Sequence, residues 1–148
     1  MKEHTAIESF KNEHQHGLHF CWTIQKGLQK GTDLKRMQAY AESFYINYLE
    51  DHFQFEEEMV FPILGNENEL VKKAKREHRR IKRLFFDRDN LLKSLSLLEE
   101  ELYSLIRFEE HELYEAVLKK ATDEQLKNIQ SSHQILKEED YPDPFWEE

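Results

Sequence analysis

Four stretches of this chain carry apolar residues at intervals of three and four, with short breaks between them. This interval is the period of an α-helix that buries one face. Glycine and proline are scarce, with Gly 4 and Pro 3 in 148 residues, so the elements between turns should be long. The sequence therefore predicts an all-α fold, an up-down-up-down four-helix bundle with a short C-terminal fifth helix.

Turn and capping residues divide the predicted helices. Three sets mark the ends of the first three helices: Gly31 to Asp33, Pro62 with Gly65 and Asn66, and Arg88 to Asn90. Thr122 and Gln125 have the spacing of a capping box that starts the fifth helix. We predict a single domain over residues 1–148, with the bundle core over about 5–120. The short helix and an acidic, irregular tail occupy 121–148.

Charge and composition argue against several classes of function. The net charge of −9 disfavours nucleic acid as the main partner, because phosphate binding needs a basic surface. No apolar run approaches the roughly 18 residues of a membrane span, and the charged N-terminus does not resemble a signal peptide. The one cysteine, Cys21, cannot form an internal disulfide, which suits a reducing compartment. We therefore expect a cytoplasmic protein that does not bind membranes.

Five ionisable residues interrupt the apolar stripes of the four long helices: His14, His52, Glu56, His78 and Glu109. Burying such groups singly costs on the order of several kcal/mol, and a cation among them would offset that cost. Imidazole and carboxylate are ligands that iron, manganese and zinc accept. The pattern indicates a metal site, with a metal-free buried polar network as the alternative.

The heights of these residues along the bundle support the metal site. The midpoint between His14 and His52 is Asp33, and the midpoint between His52 and His78 is Gly65. Both midpoints fall in predicted turns, so these histidines lie level in an up-down bundle. Glu109 fits less well, because its midpoint with His78 lies a few residues beyond the third turn.

Three segments resemble the hemerythrin-like, or HHE cation-binding, family. HFQFEEEMVFPIL, from His52 to Leu64, resembles the second-helix motif, a His-x-x-x-Glu followed by a Phe-Pro ending. REHRRI, from Arg76 to Ile81, resembles the third-helix Glu-His motif, and NEH at Asn12 to His14 resembles the first. The resemblance extends over about residues 5–120. It implies a non-haem di-iron centre with bridging carboxylates and outer histidines.

The fourth helix departs from the family pattern. In LIRFEEHELYE, Leu105 stands where the family has a histidine, and Glu115 replaces a proline, while Glu109 remains. His111 is not expected to substitute, because it lies about 240° around the helix from position 105. Only a π-bulge would change that, and the sequence predicts none. The expected cofactor is therefore iron, as two ions, as one ion in a degenerate site, or not at all.

Family members bind oxygen, sense oxygen or iron, or handle nitric oxide. We expect an iron-binding protein that binds or senses oxygen, nitric oxide or iron, rather than an enzyme. The alternatives are a metal-free interaction module and a di-iron oxidoreductase acting on nitric oxide or peroxide. The basic face of the third helix, over residues 72–83, is a possible docking surface for a protein partner. Glu57 and Glu110 are expected on the solvated face, although a carboxylate beside the motif glutamate could also support a metal ligand. His16 and His19 are expected at the surface, with extra metal ligands as the alternative, and His133 in packing contacts.

Overall fold

Short connections join the long helices of the bundle, so helices that follow one another in sequence run antiparallel. The structure is a computed structural model that describes residues 5–133 and 140–148. It contains five helices in the described ranges: α1 (Thr5–Lys30), α2 (residues 34–63), α3 (Glu69–Phe86), α4 (residues 91–120) and α5 (Asp123–Ser132). No strand occurs in those ranges. The predicted all-α four-helix bundle with a short C-terminal fifth helix is confirmed.

Two helices change their hydrogen-bond pattern without ending. α2 passes through two π-helical turns, Tyr45–Leu49 and Glu56–Val60, before a closing 3-10 turn, Phe61–Ile63. α4 is α-helical over Leu91–Phe108, π-helical over Glu109–Leu113 and α-helical again over Tyr114–Lys120. A π turn accommodates an extra residue, so it changes which side chains face the core beyond it. The sequence analysis predicted none of these turns.

The predicted breaks fall where the structure ends its helices. Side chains cap the helices that follow: Asp33 accepts from the Lys35 backbone N–H, Asn68 from those of Leu70 and Val71, and Asn90 from that of Lys93. Gly31 and Gly65 have φ of 69° and 91°, the left-handed region that favours glycine. Both bonds of the Thr122–Gln125 capping box are present.

The C-terminal segment packs against the bundle rather than extending from it. Of the tail predicted to be irregular, residues 138 and 139 lie outside the described ranges, and residues 140–148 contain only the 3-10 turn Phe145–Glu147. The Phe145 side chain is fully buried. It lies so close to Gly27 that a Cβ there would be 2.9 Å from the Phe145 ring. The Arg36 guanidinium binds the carboxylates of Asp143 and Glu148 at 2.6 and 2.7 Å.

Within the described ranges, none of the helices is both long and apolar enough to cross a membrane. The buried residues of α1 to α4 form one hydrophobic core along the bundle. That core surrounds the ionisable residues that the sequence placed on the inner helix faces.

Candidate metal centre

The five ionisable residues predicted to face inward meet in the core of the bundle. α1 supplies His14, α2 supplies His52 and Glu56, α3 supplies His78 and α4 supplies Glu109. None of them is more than 4% exposed. The His78 and Glu109 side chains also meet, although their heights along the bundle matched less well in sequence.

The inward donor atoms of these five residues lie around a common centre, and we call them the ring of donors. Glu109 Oε1 lies 3.3 Å from His14 Nε2, and Glu109 Oε2 lies 3.3 Å from His78 Nε2. Glu56 Oε1 lies 3.4 Å from His78 Nε2 and 3.5 Å from His52 Nε2. The two oxygens of Glu109 thus face different histidines, as the oxygens of a bridging carboxylate do.

These distances suit metal ligands better than hydrogen bonds. An N–H···O bond measures about 2.7–3.2 Å, whereas ligands bound at about 2.1 Å lie roughly 3.0–3.5 Å from one another. His14, His52, Glu56 and Glu109 each offer one donor atom, and these atoms all lie within 4.8 Å of one another. His52 Nε2 and Glu56 Oε1 are buried and have no hydrogen-bond partner among the described residues. Because orphaned buried groups are costly, the donor set fits a bound cation.

A carboxylate from a neighbouring helix holds the outer nitrogen of each histidine. The three Nδ1 contacts are His14 with Glu110 at 3.0 Å, His52 with Glu13 at 3.0 Å, and His78 with Glu57 at 2.7 Å. Each ring therefore directs Nε2 to the centre, the arrangement that metal-binding histidines commonly show. The sequence placed Glu57 and Glu110 on the solvated face, with support of a metal ligand as the alternative, and their contacts to His78 and His14 agree with that alternative. Glu13 was not predicted.

Carboxylates next to the imidazoles make the centre favourable for positive charge. Burial opposes the charging of His14, but hydrogen bonds to Glu109 and Glu110 outweigh it and raise the pKa of His14 to about 9. Burial likewise opposes the ionisation of Glu109, and the bonds to His14 and His78 outweigh it and lower the pKa of Glu109. Burial and the neighbouring Glu109 carboxylate raise the pKa of Glu56. A positive ion would be stabilised at this point.

Comparison with protein families agrees with this geometry. The model of the hemerythrin HHE cation-binding domain matches residues 5–89, more than half of the chain. This chain belongs to the hemerythrin HHE cation-binding family. No curated protein and no solved structure gives a significant match. For a hemerythrin domain, the buried cluster of histidine and glutamate points to metal binding.

The matched range of the hemerythrin domain ends before α4, where this chain departs from the family pattern. Leu105 is buried beside a small cavity that His14, His52 and Glu109 also line. The cavity leaves about 10 Å³ for the centre of a water-sized molecule, which is about the space that one water needs. Leu105, at the position of the family histidine, thus adds an apolar wall to the cavity and supplies no metal-binding atom.

A tyrosine that the sequence analysis missed completes the α4 side of the hemerythrin site. Tyr114 is fully buried, and its hydroxyl donates to Glu56 Oε2 at 2.8 Å. On a regular α-helix Tyr114 would lie about 140° from Glu109. The π turn Glu109–Leu113 realigns them. The same turn leaves His111 exposed, so that residue does not replace the missing histidine.

The other histidines within residues 5–133 lie outside the ring of donors. The His16 ring packs against Tyr48, and the His19 ring stacks on Trp22. His133 Nε2 lies 3.0 Å from Glu13 Oε2, so Glu13 contacts both His52 and His133. His133 therefore supports the centre indirectly, in addition to the ring packing against Phe10 and Phe55.

Proposed function

We propose that this hemerythrin domain binds iron and uses it to bind or sense oxygen, nitric oxide or iron itself. The observation that carries the proposal is the orientation of the three histidines. Each one is fixed at Nδ1 by an outer carboxylate and directs Nε2 to the shared centre. The proposed ligands are His14, His52, Glu56, His78 and Glu109, and they would hold one ion or two.

The donor chemistry supports iron. Three imidazole nitrogens and two carboxylates form a mixed set that suits iron in helical bundles. Bound iron would supply reversible redox chemistry and an attachment point for small neutral ligands. The opposed oxygens of Glu109 favour two metal positions, whereas the apolar Leu105 removes a donor and favours one. The number of irons bound per chain, measured by elemental analysis, distinguishes one metal position from two.

The chain's own residues orient the donors and exclude water. The Phe53 ring stacks on His78 with centroids 3.8 Å apart, and the Phe10 ring stacks on His52 at 4.5 Å. These rings close the centre toward the protein interior, and the outer carboxylates prevent the imidazoles from rotating. A low-dielectric, pre-organised site of this kind strengthens the binding of a cation.

The cavity beside Leu105 supports a small, uncharged ligand. Its walls include Leu102, Leu105 and Ile106, and its size limits an occupant to roughly that of a water molecule. A diatomic molecule is close to this size, whereas an organic substrate is too large for the cavity. We therefore favour binding or sensing over turnover, and any turnover is restricted to molecules such as nitric oxide or peroxide.

Spectroscopy of iron-loaded protein tests this function. Protein loaded with ferrous iron under anaerobic conditions is exposed to nitric oxide or to oxygen while its visible and electron paramagnetic resonance spectra are recorded. We expect a new spectrum with at least one of the two gases, and no change in a zinc-loaded control. Failure to take up ferrous iron, or bound iron that responds to neither gas, would contradict the proposal.

A cytoplasmic location fits the sulfur chemistry of the chain. Cys21 is a buried free thiol, 5% exposed, as expected of a small hydrophobic residue in α1. Burial raises its pKa to about 12, so it stays protonated and unreactive. We propose that the protein works in a reducing compartment.

A second proposal concerns the basic face of α3, which we assign to an acidic segment of a partner protein. Lys72 pairs with Glu67 and Glu69, and Arg80 with Glu101. Five further exposed cations of α3 form no ion pair with a described residue: Lys73, Arg76, Arg79, Lys82 and Arg83. Unpaired positive charge on a chain of net charge −9 favours an acidic binding partner.

Polyglutamate serves as a probe of this face. We expect binding at low salt, with a loss of at least about tenfold in the variant Arg76→Glu with Arg83→Glu. Lys93→Glu with Lys127→Glu, at two exposed positions outside α3, is the charge-matched control and should keep binding. Equal binding by all three proteins, or none by the wild type, would contradict the docking surface.

A further inference from the structure

Tyr114 lies between two of the proposed metal ligands. Its hydroxyl oxygen is 2.8 Å from Glu56 Oε2 and 3.2 Å from His14 Nε2. The ring stacks on that of His14, with centroids 5.5 Å apart and an interplanar angle of 17°. The side chain is fully buried. The phenol oxygen is therefore held in one position, in contact with both ligand side chains.

These contacts have the dimensions of a coordination sphere. Neighbouring ligands bound at about 2.1 Å to an octahedral ion lie roughly 3.0 Å apart. The Tyr114 oxygen lies within about 0.2 Å of this spacing to both neighbours, at 2.8 Å from Glu56 Oε2, to which it now donates, and 3.2 Å from His14 Nε2. Because its hydrogen is donated to Glu56, the oxygen presents lone pairs toward His14 Nε2. A cation bound at that nitrogen would meet those lone pairs.

Resting on the iron-binding function proposed above, we propose that the Tyr114 oxygen is a further ligand of the ferric form. It would supply the α4 donor that Leu105 does not. When it binds, an iron–oxygen bond forms, the O–H bond breaks and the proton leaves to solvent. The resulting oxygen is anionic, like those of Glu56 and Glu109, and three such charges balance one trivalent ion.

A bound trivalent ion would favour an anionic oxygen at this position, because it becomes the largest local charge. Hard anionic oxygens also favour ferric over ferrous iron. Tyr114 would then shift the centre toward its oxidised form.

Ferric phenolate absorbs visible light, and the Raman modes of its ring are enhanced by excitation in that band. The wild type and Tyr114→Phe are loaded with ferrous iron and oxidised with ferricyanide, and iron content is measured in each sample. We expect the band and the ring modes in the wild type and their loss in Tyr114→Phe. Tyr48→Phe is the matched control, since Tyr48 is also buried beside the site and donates to the Glu13 carbonyl.

Tyr114→His is a second variant in case Tyr114→Phe does not fold, because histidine keeps a metal-binding atom at this position. It should retain iron and lose the band. Iron-loaded wild type without the band, or a band that survives in Tyr114→Phe or Tyr114→His, overturns the role of Tyr114 and leaves the iron site standing. Wild type that takes up no iron overturns the proposed function, and the role of Tyr114 with it.

Discussion

At the scale of single residues, the outer carboxylates matter because they fix the orientation of the three inward histidines. Glu13, Glu57 and Glu110 each bind the Nδ1 of a histidine on another helix. Without such a partner an imidazole can rotate or change tautomer, and Nε2 is no longer directed at the metal. Glu57 and Glu110 are partly exposed, so their contribution is accessible to mutation without opening the core.

We predict that Glu57→Gln or Glu110→Gln weakens iron affinity by about 10- to 100-fold, because removing such a partner typically has that effect on metal sites. Competition with a chromophoric chelator measures the affinity. Glu58→Gln is the matched control, since Glu58 bonds Gln54 and not a histidine. Affinities equal to that of the wild type would show that the outer carboxylates do not orient the ligands.

Leu105 offers the complementary test, a gain of function. Leu105→His places an imidazole beside the cavity that His14, His52 and Glu109 line. We predict that this variant binds iron more tightly or in greater amount than the wild type. In the metal-free state it should lose roughly 1–3 kcal/mol of stability, since a buried polar group gains no partner. Unchanged iron binding, measured with the same chelator, would argue that position 105 does not face the metal.

At the scale of helices, the π turn in α4 decides which side chains reach the centre. Beyond the turn Glu109–Leu113, the residues Tyr114, Val117 and Leu118 are buried. Each π turn stretches or loses regular hydrogen bonds, and such turns often mark functional sites. Here the turn allows α4 to present Glu109 and Tyr114 to the same centre.

We predict that deleting Glu112, an exposed residue of the π turn, restores a regular α-helix and keeps Tyr114 beside Glu109, because the two are then four residues, or about 40°, apart. Inserting one alanine after Glu112 instead rotates the rest of α4 by about 100° and moves Tyr114 out of the core, so the free energy of unfolding should fall by about 3–5 kcal/mol, the usual cost of losing a buried aromatic side chain. Urea unfolding measures the change. Glu112→Ala keeps the chain length and should behave as the wild type. Equal stability of the deletion and insertion variants would contradict the role of the turn.

The helices show why part of the site follows from sequence and part does not. His14, His52, Glu56 and His78 were predictable because they occupy positions in apolar stripes with a regular period. Tyr114 was not, because the π turn changes the phase and no residue pattern announces it. Glu57 and Glu110 lie beside the stripes. Their role depends on which neighbouring helix packs there, and periodicity within one helix carries no such information.

At the scale of the whole molecule, the C-terminal segment is part of the fold. Phe145 fills a space that Gly27 leaves open, and the Arg36 side chain ties Asp143 and Glu148 to the start of α2. The sequence analysis expected an irregular acidic tail, which describes its backbone but not its packing. Two prolines and several acidic residues predict an irregular segment, and nothing in that pattern indicates that Phe145 is buried.

We predict that Phe145→Ala lowers the free energy of unfolding by about 3–5 kcal/mol, because it leaves a cavity against α1 and α2. Iron content should not change, since Phe145 does not line the metal centre. Phe86→Ala, at a position 39% exposed, is the control and should cost much less. If urea unfolding gives the two variants equal stability, the docked segment does not contribute to the fold.

The central claim is that the buried ring of histidine and glutamate residues holds iron. It is tested most directly by elemental analysis after anaerobic ferrous loading of the wild type and of His52→Ala with Glu56→Ala. His111→Ala, which changes an exposed histidine near the site, is the control. We predict about one or two irons per chain in the wild type and the control, and almost none in the double variant. A folded wild type without iron, or equal iron in all three proteins, would contradict the account.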